Sequence, residues 1–186
     1  MGKLMSRDSD ILLETEHLVL RRMRHDDLND IARINADPDV MRYIADGSLR
    51  SREITAANIR RTHRIYEIYP GFGFWVGEEK PKRKFIGVFA LVYIPGTVQV
   101  EVGYRLRKSA WGRGLATEGA RALVRYGMIE LGLERIAGLT HPDNIASQNV
   151  LMKAGLKRHG MGHYYERDLC YFVAERASLL SMPNAV

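Results

Sequence analysis

The stretch from Val100 to Leu131 constrains the fold more than any other part of the chain. A strand-like run, Val100 to Leu106, leads into a turn carrying Gly112 and Gly114, and that turn opens a long helix. Ala116, Ala120, Leu123, Val124, Gly127, Met128 and Leu131 recur at the 3.6-residue period, and Gly132 ends the run. A strand feeding such a helix commits the chain to an α/β layout in which the helix packs on a sheet. The junction also has chemistry of its own. The first turn of a helix leaves backbone N–H groups unpaired and carries partial positive charge, so it suits an anion such as a diphosphate. Glycines at positions 112 and 114 let the backbone approach that anion closely.

The remaining sequence supplies strands and helices around this unit. His17 to Met23 alternates as a strand, His25-Asp26-Asp27 offers a helix cap, and Pro38 begins a short helix. Residues 51–69 read as a helix opened by Ser51. Gly73 to Glu78, Phe85 to Ile94 and Thr97 to Leu106 are strand candidates joined by tight turns, which favours an antiparallel meander. After the long helix come a short strand, Arg135 to Thr140, and a helix from Ile145 to Ala154 capped by Asn144. Leu156 to Gly162 and Tyr165 to Glu175 form a closing pair of strands. The expectation is one α/β (α+β) domain over residues 15–177, with residues 1–14 and 178–186 as tails.

Composition narrows the class of function. The longest apolar run, Phe85 to Ile94, is about half of what a bilayer span needs, so no membrane partner is expected. Cys170 is the only cysteine, which excludes an intrachain disulfide and points to a reducing, cytoplasmic setting. The six histidines form no metal-ligand pattern: His159 and His163 stand four apart in a strand, and no metal is expected. A net charge of +6 suits an anionic partner, but no nucleic-acid motif accompanies it, so direct nucleic-acid recognition is not expected. The glycine turn lacks the Gly-Lys-Ser/Thr of a P-loop, and no acidic residue follows at dinucleotide-fold spacing.

Three segments carry a family resemblance. Glu101-Val102-Gly103-Tyr104-Arg105-Leu106 followed by Trp111-Gly112-Arg113-Gly114-Leu115-Ala116-Thr117-Glu118 resembles the acetyl-CoA motif of the GNAT N-acetyltransferase superfamily. Asn144-Ile145-Ala146-Ser147, Val150-Leu151 and Lys153-Ala154-Gly155-Leu156 resemble its second segment. Leu18 to Arg21 and Asp37 to Ile44 are similar to the branch containing the ribosomal-protein N-terminal acetyltransferases.

The resemblance implies a mixed central sheet of about seven strands flanked by helices. It further implies a splay between two parallel strands, Val102 to Leu106 and Arg135 to Thr140, that receives the pantetheine of acetyl-CoA. Val102, Gly103, Tyr104, Leu106, Arg107, Trp111, Gly112, Arg113, Gly114, Leu115, Ala116, Thr117, Asn144 and Ser147 would line that cofactor. The implied activity is transfer of acetyl from acetyl-CoA to a primary amine by direct attack. The acceptor would be a protein N-terminus, as in the ribosomal-protein branch, or a small amine, and related enzymes are often homodimers. A non-catalytic acyl-CoA sensor on the same fold is the alternative.

Two positions depart from the pattern. Ser109 stands where relatives often carry Gln or Arg, which removes a side-chain contact to phosphate and leaves the backbone cradle. Leu151 replaces a frequent general-acid tyrosine, so Ser147 is the candidate proton donor to the thiolate. A base is needed because an alkyl amine of pKa about 10.4 is only about 0.04% neutral at pH 7, a cost of ~4.6 kcal/mol. Glu101, just before Gly103 on the central strand, is the candidate base. The basic run Arg50 to Arg64 lies where relatives build the acceptor wall.

Overall fold

In the computed structural model, which describes residues 10–180, eight strands form one sheet in the order β1-β2-β3-β4-β5-β6-β8-β7. Strands β1 (Ile11–Glu14) and β2 (Leu18–Arg22) precede three helices, α1 (Leu28–Asn35), α2 (Pro38–Met41) and α3 (Arg52–Ile68). The meander β3 (Gly73–Glu79), β4 (Lys84–Tyr93) and β5 (Val100–Leu106) is antiparallel, as its short connections require. Helix α4 (Leu115–Ile129) then crosses over to β6 (Arg135–Thr140), which runs parallel to β5. Helix α5 (Ile145–Lys153), the hairpin β7 (Lys157–Tyr164) and β8 (Arg167–Glu175), and α6 (Arg176–Leu180) complete the domain.

Both tail boundaries shift. Ile11–Glu14 pairs with β2 as the edge strand, so the sheet has one strand more than expected. Its short apolar cluster is held by β2 and by Lys80, whose ammonium pairs with Glu14 at 2.6 Å. At the other end α6 continues past residue 177, anchored where Arg176 meets Glu134 at 2.9 Å. Residues 1–9 and 181–186 lie outside the described part of the chain.

Each face of the sheet buries its own apolar cluster. Phe89, Leu91, Val100, Val102 and Leu106 pack with Leu115, Leu123 and Met128 of α4 and Leu151 of α5. Val76 and Val88 pack on the opposite face with Ile31, Ile34, Val40 and Ile59 of α1, α2 and α3. Strand β4 is covered on both sides, which explains why it reads as a continuous apolar run rather than an alternating one. Gly119 sets the depth of α4: a Cβ there would stand 2.2 Å from Phe89. No helix among the described residues is long and apolar enough to cross a membrane.

Candidate active site

The helices after β2, β5 and β6 are not finished alike at their N-termini. Ser51 Oγ accepts the Ile54 amide on α3, and Asn144 Oδ1 accepts the Ser147 amide on α5. Helix α4 has no side-chain cap: its N-cap residue is Gly114, at φ +77°. Gly112 lies at φ +70°, and no atom stands within 4 Å of where a Cβ would be on either glycine. The turn therefore presents unpaired amides to open space, which is the fit a diphosphate requires. Both glycines are needed for the left-handed backbone.

The residues around this turn divide by what they can offer. Leu115, Val102 and Leu106 bury their side chains in the core, which leaves their backbone groups as the means of contact. Ala116 is half-buried against the same core, and Thr117 follows it in the first turn of α4. The Trp111 indole donates to the Leu106 carbonyl at 2.9 Å and holds its ring, about half exposed, at the rim. Two of the rim cations are engaged by carboxylates from neighbouring elements: Arg113 by Glu79 and Lys108 by Asp39. Among the described residues, the Arg107 side chain meets the Phe85 carbonyl at a long 3.4 Å.

Strands β5 and β6 meet at a single bridge, Glu101 with Ala137, whereas β6 pairs with β8 along its whole length. Beyond Glu101 the parallel strands separate toward their C-terminal ends, and the splay expected between them is present. Across it, the Tyr104 hydroxyl lies 3.0 Å from both the carbonyl and the Oγ of Ser147. Burial pushes the Tyr104 phenol well above its ordinary value, so it stays protonated and serves as a hydrogen-bonding group. Asn144, expected near the same gap, spends its carbonyl on capping α5. Leu151 is fully buried under β6, where it packs rather than reacts.

Glu101 occupies the vertex of the splay. Burial pushes its carboxyl up to about 7, and a hydrogen bond from the Tyr165 hydroxyl pulls part of the way back. Tyr165 and Glu166 form the two-residue turn between β7 and β8, at φ +54° and +59°. The sequence suggests Tyr165 as the first residue of the last strand, whereas β8 begins at Arg167 and Tyr165 belongs to the turn before it. Its contact with Glu101 spans 64 positions and depends on the β6-β8-β7 order, which no local pattern announces. On the same side, Tyr43 after α2 stacks on His141 after β6 with ring centroids 5.3 Å apart. Of the basic run, Arg50 pairs with Asp46 at 3.0 Å and its charge is felt by Arg105, while Arg52, Arg60, Arg61 and Arg64 lie exposed on α3.

An uncapped helix N-terminus, a glycine turn and a parallel pair joined at one bridge thus lie together in this part of the fold. The model of the acetyltransferase (GNAT) domain family matches residues 17–157. The chain belongs to the GNAT acetyltransferase family. It is 33% identical over 156 residues to the FsC-acetyl coenzyme A-N(2)-transacetylase of Aspergillus fumigatus, a match covering 77% of this chain and 64% of that longer one. A GNAT-family acetyltransferase from Bacillus anthracis superposes with a TM-score of 0.77 at 22% identity, covering 89% of this chain and 98% of that one. The RimL ribosomal L7/L12 alpha-N-protein acetyltransferase, solved in complex with coenzyme A, superposes with a TM-score of 0.73 at 16% identity, covering 89% and 97%. As in other GNAT proteins, acetyl-CoA is the cosubstrate.

Proposed function

We propose that this protein moves the acetyl group of acetyl-CoA to a primary amine by direct attack within a ternary complex. The observation that carries this reading is the position of Glu101, a carboxylate raised to about 7 at the one bridge where β5 and β6 part. Acetyl-CoA supplies an activated acyl carbon held as a thioester. The amides of residues 112–117 hold its diphosphate, aided by Arg107 and by the dipole of α4, while the Trp111 amide is already bonded to the Lys108 carbonyl. The backbone of Val102 to Leu106 aligns the pantetheine in the gap. Glu101, directly or through water, takes the proton of the ammonium so that a neutral amine attacks. A carboxylate near 7 is better matched to that task at neutral pH than one at 4.5. Ser147, joined to Tyr104, supplies the proton or hydrogen bond to the leaving sulfur.

The acceptor is a protein N-terminus of the ribosomal-protein kind or a small amine. The decisive experiment is release of free coenzyme A thiol during incubation with acetyl-CoA and a panel of amines and N-terminal peptides. Turnover with some member, lowered at least about hundred-fold by Glu101→Gln with acetyl-CoA affinity intact, is the expected result. Tight binding of acetyl-CoA without turnover on any amine would instead identify a sensor domain.

A further inference from the structure

Arg21, which is buried, and Arg105, which is half-buried with a buried Nε, are treated in opposite ways. Arg21 is clamped by Asp27 at 2.7 and 2.8 Å and by Glu78 at 2.6 Å, the pairing that a buried guanidinium needs. Arg105 receives no carboxylate among the described residues. Its Nε is buried without any hydrogen-bond partner, and its Nη1 contacts only the Met41 sulfur, at 3.9 Å. Burial, and after it the positive charge of Arg50, pushes the Arg105 guanidinium down to about 10; Arg50 itself pairs with Asp46 at 3.0 Å. A guanidinium whose Nε is buried and unpaired is costly unless an anion completes it.

The position of Arg105 says which molecule would bring the anion. Val102, Tyr104 and Leu106 face α4 and α5, so by strand alternation Glu101, Gly103 and Arg105 share the opposite face, the one covered by α1, α2 and α3. Gly103, midway between the two charged residues, leaves a side-chain position empty: a Cβ there would meet only Ala90, at 3.7 Å. The strand thus presents a base at one end, a gap in the middle and an unpaired cation at the other end. Four residues of strand separate the two ends by about 13 Å between Cα atoms, which leaning side chains shorten.

We propose that Arg105, with Arg50 beside it, binds an anionic group of the acceptor, a carboxylate or a phosphate carried on the same molecule as the amine that reaches Glu101. This rests on the acetyl-transfer reading above and narrows its acceptor to compact amino acids, short peptides or amino phosphates.

Thiol release is compared for γ-aminobutyrate, ε-aminocaproate, glycylglycine and triglycine, each beside its carboxamide, and for phosphoethanolamine beside ethanolamine. The expected result is that at least one anionic member exceeds its neutral counterpart in kcat/KM by roughly ten-fold or more. The peptide and phosphate arms then tell carboxylate from phosphate. In Arg105→Gln that ratio falls to near one, through KM, while calorimetry shows unchanged affinity for acetyl-CoA. Arg105→Met, assayed without substrate in anion-poor buffer, melts above wild type because an uncompensated buried charge is gone.

Anionic members no faster than their neutral counterparts, whether slow or not acetylated at all, would overturn the proposal, as would a preference that survives Arg105→Gln. Loss of acetyl-CoA affinity in Arg105→Gln would assign the guanidinium to the cofactor, and a lower melting temperature for Arg105→Met would assign it to the core. Transfer to neutral amines with intact acetyl-CoA binding would leave the acetyltransferase reading standing when this one falls. Absence of acetyl-CoA binding would remove both.

Discussion

At the scale of single residues, the behaviour of Glu101 is set by burial against a hydrogen bond. Burial raises its carboxyl to about 7, and the Tyr165 hydroxyl opposes that rise by stabilising the charged form. If the carboxylate is the base, kcat/KM for an amine should climb with pH through an inflection near 7 that belongs to the free enzyme. Tyr165→Phe removes the opposing bond, so the inflection should move to higher pH; a profile unchanged by this substitution would separate Tyr165 from the base. Stability carries the opposite sign. The folded-state value lies above the ordinary 4.5, so the folded protein holds the extra proton and stability falls as pH rises between about 4.5 and 7. Glu101→Gln should therefore raise the melting temperature at pH 8 relative to wild type, and much less at pH 4, in thermal scans at both values. Glu101 was singled out in the sequence by its place on the central strand just before Gly103, while its burial and its bond to Tyr165 required the folded sheet. Arg105 was not, because its lack of a partner is a fact about Met41 and Arg50, which reach it from other parts of the chain.

Among the elements, the β7–β8 turn shows how local preference yields to a distant contact. Two-residue hairpin loops with both central residues at positive φ favour Asn-Gly, yet this one carries Tyr165 and Glu166. A left-handed backbone costs a side chain other than glycine roughly 1–2 kcal/mol. The Tyr165 contact with Glu101 is what the sequence keeps in exchange. Replacing Tyr165-Glu166 by Asn-Gly should stabilise the protein by about 1–2 kcal/mol in denaturant unfolding. The same change should reduce turnover and shift the pH profile as Tyr165→Phe does. Helix α4 is the reverse case, where local pattern and tertiary role agree. Its apolar period and its glycine N-terminus could be read in order along the chain, although the helix ends at Ile129, before the expected stop at Gly132. Strand β1 could not, since four residues without strong alternation become a strand only when β2 offers an edge to pair with.

Over the molecule as a whole, the sheet separates two tasks. In the proposed function one face and the open end of α4 take acetyl-CoA, while the other face, under α1, α2 and α3, presents Glu101 and Arg105. The splay between β5 and β6 is the passage that connects them, and it exists because only one bridge closes the parallel pair. Its location was readable from the family resemblance, whereas the groups across it, Tyr104 on Ser147 and Tyr165 on Glu101, required the folded sheet order. The net charge of +6 follows the same division: exposed arginines on α3 are solvated, and paired rim residues such as Arg113 contribute less free charge than the sequence suggests.

The central claim is that the uncapped turn before α4 holds the diphosphate of acetyl-CoA, and calorimetric titration of wild type beside Gly112→Asp tests it most directly. Aspartate is among the few side chains that tolerate a left-handed backbone, and no atom stands within 4 Å of the Cβ it would add, so the variant should fold. Its carboxylate would occupy the anion's place. The account predicts saturable binding by wild type and a loss of roughly a hundred-fold, about 2.8 kcal/mol, in a variant whose melting temperature is close to wild type. Equal affinity in the two proteins, or no binding by wild type at millimolar cofactor, would contradict it.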